Sequence, residues 1–324
     1  MTWNLLLQIA LVCGSILLLW KGSDWLVDSA AKVGRRLGMS EVIVGLTIVA
    51  FGTSAPEFAV TFSAALQGKT DISVGNVVGS NIFNLGIILG LCSMLIPLRT
   101  NREVVYRDGM ILIGTTGLLY WFLSDYRLQR WEGAVLFGGL LCYLLLLLVW
   151  RKKWGDYTPD DALDPQKSFI ATIPARATAG DIMKLVAGTV AVVVGGHLLV
   201  TSAVVVARFL GVSEWAIAVT IVAAGTSAPE LATSVTAALK GFHGMSVGNL
   251  VGSDLFNLLG VLGAAGIMRE LPVSTGALSS VGMLALMCCI VVLFMRTGWR
   301  LYRWEGAILI LLGVSRWVLD FMGR

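Results

Sequence analysis

Charge is what this chain has least of. Aspartate, glutamate, lysine and arginine together make up 14% of its 324 residues, where soluble domains carry about 25%. Histidine occurs only at His197 and His243, too rarely to build a metal cluster with cysteine. Cys13, Cys92, Cys142, Cys288 and Cys289 all fall in apolar runs without zinc-ligand company, so they are expected as buried small hydrophobes. The first apolar run lacks a basic n-region and a small-residue cleavage site, which makes it a retained helix and not a signal peptide. The net charge of +4 does not point to nucleic acid, because the basic residues sit mostly at the ends of apolar segments. Long polar stretches are also missing, apart from residues 151–180, so a sizeable soluble domain has no room.

Apolar sequence fills the chain instead. It reaches 56% of the residues, with a mean hydropathy of +0.82. Crossing a bilayer takes roughly 20 mostly apolar residues, and ten segments qualify: 4–27, 40–66, 72–97, 106–123, 131–150, 181–207, 213–239, 245–268, 276–295 and 303–321. The expectation is an all-α polytopic membrane protein with ten transmembrane helices. If the N-terminus is external, the inner loops hold sixteen Lys and Arg (Lys32, Arg35, Arg36, Lys153 and Arg303 among them) against seven outside. By the positive-inside rule both termini are then outside.

The sequence Gly-Thr-Ser-Ala-Pro-Glu occurs twice, at 52–57 and 225–230. Shifted by 173 positions, block 38–85 overlays block 211–258 without a gap, with 28 of 48 positions identical. Five segments separate matching points, and an odd number turns the second copy upside down. Gly22 also matches Gly195, and Ser29 matches Ser202. This divides the chain into a five-helix unit at 1–150, an inner linker at 151–180 and an inverted five-helix unit at 181–324. Inverted repeats with interrupted helices meeting at a midplane site are an architecture of secondary transporters.

The repeated hexapeptide breaks a helix. Pro56 has no N–H for the carbonyl of Gly52 and its ring crowds that carbonyl, Ala55 is pushed away from helical dihedrals, and Pro229 repeats the arrangement. Ala50, Thr53 and Glu57 form one helical stripe, matched by Ala223, Thr226 and Glu230. Asn76, Ser80 and Asn84 form a second stripe, matched by Asn249, Ser253 and Asn257. Gly75 and Gly79, with Gly248 and Gly252, bracket those faces as small residues that permit close helix approach. Every candidate ligand is an oxygen, the choice of hard cations; Ca²⁺ takes about six to eight of them in flexible geometry. Glu57 and Glu230 offer about two negative charges, which one divalent ion or two monovalent ions neutralise. Loading both kinds at once would leave excess positive charge in low dielectric, and that mutual exclusion is a physical basis for antiport.

At these residues the chain resembles the cation/calcium antiporter superfamily, specifically its sodium/calcium exchanger type. The resemblance spans the ten-helix plan and is densest in blocks 38–85 and 211–258, where GTS-x-PE is followed by G-N-x-x-G-S-x-x-x-N in both copies. It implies that Glu57 and Glu230 ligate Ca²⁺, helped by backbone oxygens at Thr53 and Thr226. It further implies flanking Na⁺ sites from Ser54, Ser80, Ser227 and Ser253 with the carbonyls of Ala50 and Ala223, and Asn84 completing the centre. The implied activity is secondary active exchange of Ca²⁺ for Na⁺ by alternating access. No cofactor, nucleic acid or obligate protein partner is implied beyond inorganic cations and the bilayer. Many exchangers, the potassium-dependent ones included, carry Asp where this chain has Asn257, so dependence on K⁺ is not expected. Here the segment reads GSDLFN, which puts an acid, Asp254, one turn earlier and about 60° around the helix from Asn257. It edges the pathway or faces a neighbouring helix. The short linker lacks room for the regulatory domains of animal exchangers, which suggests a minimal prokaryotic transporter of the plasma or inner membrane.

Other readings compete. Ca²⁺/H⁺ antiport uses the same ligands, and a cation channel also uses acidic residues but does not require an inverted repeat. An intramembrane hydrolase could pair carboxylates over a shared proton, yet no nucleophile–base arrangement accompanies them, so the chain is not read as an enzyme. Asn76 and Asn249 are either ligands or interhelical hydrogen-bond partners, and Ser80 and Ser253 could bond back to helix carbonyls. Glu41 and Glu214, each after a Ser at a helix start, suit the helix dipole. Asp24 and Asp28 have Lys21 as a nearby candidate partner, and His197, matching Asp24 in the repeat, is expected as a satisfied buried histidine.

Overall fold

The computed structural model describes residues 2–150, 178–212 and 223–322. Ser213, Glu214 and residues 151–177 of the linker lie outside the described residues. Helix α1 (Thr2–Arg36) runs through Lys32, Arg35 and Arg36, which the sequence reading placed in a loop. Basic side chains in a last turn suit the negative end of the helix dipole, so the helix absorbs them. Ser40 then caps α2 (Glu41–Thr53), its Oγ accepting the Ile43 N–H at 3.4 Å with Glu41 in the first turn. Helix α3 (Ala55–Leu66) departs from α2 at an angle of 49°.

Three apolar helices follow: α4 (Thr70–Leu95), α5 (residues 104–122) and α6 (Arg130–Trp150). Helix α7 (Ala179–Phe209) starts at a capping box in which Thr178 and Asp181 satisfy each other's backbone N–H. Next come α8 (Ala223–Thr226), α9 (Ala228–Leu239), α10 (His243–Met268), α11 (Thr275–Arg296) and α12 (Arg303–Met322). Among the described residues six helices are long and apolar enough to cross a membrane, or seven if α2 and α3 count as one bent span.

The all-α expectation needs one amendment, because the loops carry short strands. Strands β1 (Leu98–Arg99) and β4 (Arg300–Leu301) pair antiparallel with Leu98 opposite Leu301, and β2 (Arg127–Leu128) pairs with β3 (Leu271–Pro272) with Leu128 opposite Leu271. Adding 173 to 98 and to 128 gives 271 and 301, so the two ladders are themselves repeats of one another. The next residues repeat as well: Arg-Trp-Glu-Gly-Ala stands at 130–134 and at 303–307. Glu132 Oε2 accepts the Gln129 N–H at 2.8 Å, and Glu305 Oε2 accepts the Tyr302 N–H at 2.7 Å, so each glutamate caps its own helix in the same way.

Packing falls into two apolar clusters. The larger joins α4, α5, α6, α10, α11 and α12, and the smaller joins α1 and α7 to α2 and α9. Close approach in the smaller cluster depends on missing Cβ atoms: one built on Gly22 would stand 2.8 Å from that of Ala191, and one on Gly188 would meet the Leu26 nitrogen at 2.7 Å. Gly248 and Gly252 of α10 press on α2 in the same way, with the Val42 carbonyl and Leu46 Cα at 2.6 and 2.7 Å from a built Cβ. A Cβ built on Gly75 or Gly79 would meet no neighbouring element within 4 Å, so among the described residues these two do not mediate a close helix approach.

Three sequence expectations change. Cys92 and Cys288 are buried, but Cys13, Cys142 and Cys289 lie on the outside of their helices, because an apolar run does not separate lipid-facing from protein-facing positions. His197 is exposed on α7 and not buried. Asp24 and Asp28 find their partner in Lys240, at 2.5 and 2.7 Å. Burial opposes the charge on Lys240, but the two carboxylates outweigh it and hold the ammonium above the usual lysine range.

Candidate ion-binding site

The break between α2 and α3 falls at Ser54, whose φ of −78° and ψ of 6° depart from the helix. Ala55 already belongs to the new helix, so the break lies one residue earlier than the proline rule suggests. Pro56 thereby occupies the first turn of α3, where its missing N–H has no partner to lose. Ser227, with φ −89° and ψ 9°, divides α8 from α9 in the same way. Glu57 and Glu230 consequently sit in the first turns of α3 and α9, near helix N-termini that favour negative charge. Both glutamates are fully buried.

Each glutamate is served by hydroxyls of the other block. Ser227 Oγ donates to Glu57 Oε1 at 3.1 Å, and Ser54 Oγ donates to Glu230 Oε1 at 3.4 Å. The Thr226 hydroxyl also faces Glu57 and that of Thr53 faces Glu230, again across the blocks, while Ser253 approaches Glu230 from its own block. Ser80 and Thr226 hydroxyls lie 3.4 Å apart, and Ser253 and Thr53 hydroxyls 3.3 Å apart. Asn76 donates to Thr61 Oγ1 at 3.0 Å, and Asn249 donates to Ser234 Oγ at 2.9 Å. These pairs are related by the same shift of 173. The two asparagines thus spend their amides on interhelical bonds, although Asn249 Oδ1 also accepts from Thr53 at 3.3 Å.

Behind this layer lies a ring of amides. Asn84 Nδ2 donates to Asp254 Oδ1 at 3.0 Å, and Asn257 Nδ2 donates to Asn81 Oδ1 at 3.0 Å. Asn81 Nδ2 donates to the Asp254 carbonyl at 3.1 Å. Asn84 begins one π-helical segment (Asn84–Ile88) and Asn257 lies in another (Phe256–Val261), each an irregularity beside a polar face. Asp254 is fully buried and belongs to this ring, with Oδ1 turned to Asn84 of the neighbouring α4.

Several buried oxygens have no protein partner: Glu57 Oε2, Glu230 Oε2, Asn84 Oδ1, Asn257 Oδ1 and Asp254 Oδ2. A buried carboxylate oxygen without a donor is costly, and a cation is the ligand that would satisfy it. Among the described residues no group of three His, Cys, Asp or Glu forms a metal cluster, so hydroxyls, amides and carbonyls must supply most of any coordination shell. Ala50 contributes a buried carbonyl, already accepting from Ser54 N–H at 3.0 Å and Thr53 Oγ1 at 3.4 Å. Ala223 opens α8 on the other side. Thr53, Ser54, Glu57 and Ser80 with Thr226, Ser227, Glu230 and Ser253 therefore meet in one buried oxygen-lined region, beside an Ala50 carbonyl that both neighbours already engage.

The family model for the sodium/calcium exchanger protein matches residues 7–149 and 182–314. The chain belongs to that family. CaxA of Alkalimonas amylolytica is 37% identical over 311 residues, spanning 95% of this chain and 96% of that protein. The sodium/calcium exchanger MaX1 of Methanosarcina acetivorans is 32% identical over 336 residues, spanning 94% and 96%. Among solved structures, the sodium-calcium exchanger NCX_Mj superposes with a TM-score of 0.79 at 27% identity, covering 96% of this chain and 98% of that one. Membership makes the chain a multi-pass membrane protein of a cation/calcium antiporter family, whose members are transporters and not enzymes. Asn81, the match of Asp254, is a buried polar residue of the region that the sequence stripes omitted, as are Thr61 and Ser234. The signal was present: Asn81 and Asp254 occupy matching places in the repeat, where amide and carboxylate replace one another.

Proposed function

We propose that this chain exchanges Ca²⁺ for Na⁺ by alternating access, at a central site built around Glu57 and Glu230. The observation that carries the reading is the crossed pairing of the two buried glutamates, each held through one oxygen by the other block's hydroxyl while its second oxygen has no protein partner. Two such carboxylates balance one divalent ion. Thr53 and Thr226 would add backbone oxygens to the Ca²⁺ shell. Ser54, Ser80, Ser227 and Ser253 with the carbonyls of Ala50 and Ala223 would hold Na⁺ on either side, and Asn84 and Asn257 would line the centre. Because both ion types draw on the same two charges, one must leave before the other binds.

The ten-helix plan of two inverted five-helix units, joined by an inner linker with both termini outside a prokaryotic plasma membrane, belongs to the same proposal. Support for it comes from hydrogen bonds and strand ladders that recur at an offset of 173, including β1–β4 and β2–β3 outside the two blocks. The name of MaX1 as a sodium/calcium exchanger agrees with Na⁺ as the driving ion.

The test is ⁴⁵Ca²⁺ uptake into proteoliposomes under imposed Na⁺, K⁺ or pH gradients. The expected result is saturable uptake driven by Na⁺ without K⁺. Uptake driven by a pH gradient alone would replace Na⁺ by H⁺ as the exchanged ion. Undiminished flux with no exchangeable cation on the far side would make the protein a channel.

A further inference from the structure

The two strand ladders repeat one another in backbone and differ in charge. Strand β2 sets Arg127 opposite Pro272, and Arg127 meets two acids, Asp125 at 3.1 Å and Glu270 at 3.5 Å. Arg300 of β4 is its match at the offset of 173. The places that match Asp125 and Glu270 hold Gly298 and Pro97, so neither acid has a counterpart. The place that matches Pro272 holds Arg99, which stands directly opposite Arg300. Among the described residues Arg300 forms no ion pair. One ladder keeps its arginine and both carboxylates; the other keeps the arginine, loses both carboxylates and adds a second arginine across the strands.

Strand geometry brings those two arginines to one face. Side chains alternate between the faces of a strand, and the neighbouring pair, Leu98 and Leu301, is fully buried. Arg99 and Arg300 therefore leave the other face together, with Cβ atoms about 5 Å apart. Like charges so placed oppose the pairing that sets them there. Arg102 adds to them, its guanidinium 5.5 Å from the centre of the Trp299 ring, and Tyr106 meets the same ring edge-on at 5.9 Å. The ladder follows the ends of α4 and α11 and precedes the starts of α5 and α12. Trp and Tyr at such helix ends mark the level of lipid headgroups.

We propose that the outer face of the β1–β4 ladder binds the phosphate of an anionic phospholipid between Arg99 and Arg300, with Arg102 beside them. The planar fork of arginine matches phosphate oxygens in pairs. A phosphate held there returns the negative charge that Asp125 and Glu270 supply at the other ladder. The occupant is a lipid because the ladder sits at headgroup depth beside Trp299 and Tyr106. A zwitterionic lipid brings its own cation and so compensates the arginines poorly. The ladder joins α4–α5 to α11–α12, so one tie between these helix pairs is completed by lipid and the other by protein carboxylates. The site is remote in sequence from the glutamates and does not depend on which ions are exchanged.

The experiment uses the purified parent, Arg300→Gln, Pro97→Glu and Lys184→Gln in neutral detergent. Each is titrated with phosphatidylglycerol, phosphatidylcholine or inorganic phosphate, and binding is read by native mass spectrometry and by the midpoint of thermal unfolding. The parent is expected to bind phosphatidylglycerol at least about tenfold more tightly than phosphatidylcholine. Arg300→Gln is expected to lower the phosphatidylglycerol affinity about fivefold, the loss of one basic side chain at an anionic membrane surface. Pro97→Glu puts a carboxylate at the place that matches Glu270 and is expected to lower it as well, which keeps the test decisive if Arg300→Gln fails to fold. Lys184→Gln removes an exposed lysine away from the ladder and is expected to change nothing. Unchanged affinity in both ladder variants overturns the site, and so does an equal loss in Lys184→Gln, which would make the attraction a diffuse field. A parent that binds both lipids alike overturns it too. Inorganic phosphate that binds and stabilises as strongly as phosphatidylglycerol overturns the lipid as occupant.

Discussion

Block 38–85 and block 211–258 share the bonds that hold the two glutamates, and two of the places where they differ in charge distinguish the halves. The glutamates, their crossed serines, the threonine–serine hydroxyl pairs and the asparagines of the interhelical bonds all match. The first departure is central: Asn81 faces Asp254. The second is peripheral. Lys240 ties α9 to α1 through Asp24 and Asp28, but the matching positions 67, 197 and 201 hold Gln, His and Thr. Gln67 spends its amide on Ser63 of its own helix, at 2.9 Å. Matched residues define what both halves must do alike, which is to hold the ion. Unmatched residues confine charge to one half, and so distinguish the two ends of an otherwise duplicated device.

The comparison breaks most readily at the glutamates. Glu57→Gln and Glu230→Gln are each expected to lower Ca²⁺ transport at least about 100-fold at equal expression, equivalent to about 2.7 kcal/mol, because one remaining carboxylate faces a divalent ion. The two losses should be alike, and near-normal ⁴⁵Ca²⁺ uptake in either variant would remove both residues from the site. Gly248→Ala drives a methyl toward the Val42 carbonyl at 2.6 Å. It is expected to cost about 2 kcal/mol of stability by overpacking, read as a lower midpoint of thermal unfolding in detergent.

Ser54→Ala and Ser227→Ala each remove one donor to the opposite glutamate. The expected effect is a change of about tenfold in half-saturating Ca²⁺, the size of a hydrogen bond to a charged group, equal in both variants if the halves contribute equally. The smallest effect falls at the periphery. Lys240→Gln opens a partly exposed ion pair worth well under about 1 kcal/mol, so the labelling rates of cysteines placed at the two ends should shift by only about two- to threefold. Gln67→Lys should leave them unchanged, since no acid stands at 197 or 201. The raised pKa of Lys240 keeps its ammonium charged from neutrality up through the usual lysine range, and the pairing weakens only as pH rises beyond it. Labelling rates that change between pH 7 and 9 in the parent but not in Lys240→Gln would contradict this.

Much of this arrangement was legible because proline, glycine and repetition leave marks that do not depend on tertiary context. The break near Pro56, the polar stripes and their convergence follow from local rules and from the offset of 173. The hinge landed on Ser54 instead of Ala55 because the proline ring fits the first turn of a new helix better than it ends an old one. Lys240 as the partner of Asp24 and Asp28 was hidden, since the pairing spans more than 200 residues of sequence and Lys21 offered a nearer cation. Asp108, buried against Arg107 and Tyr143, was invisible for a similar reason: its acceptor role is filled from α6, with Tyr143 Oη donating at 3.0 Å. Arg-Trp-Glu-Gly-Ala was in plain view twice and would have extended the repeat to the last helix of each half.

Helices α1 and α7 contain 35 and 31 residues, about 52 and 46 Å long at 1.5 Å per residue. A hydrocarbon layer is about 30 Å thick. Their close packing through Gly22, Gly188 and Gly195 prevents either from tilting alone to hide the excess, so the pair must lean or protrude together. Bilayer thickness then acts on the pair directly, and the acyl-chain length of the surrounding lipid becomes a mechanical load on these two helices that the rest of the bundle, built from shorter elements, does not share.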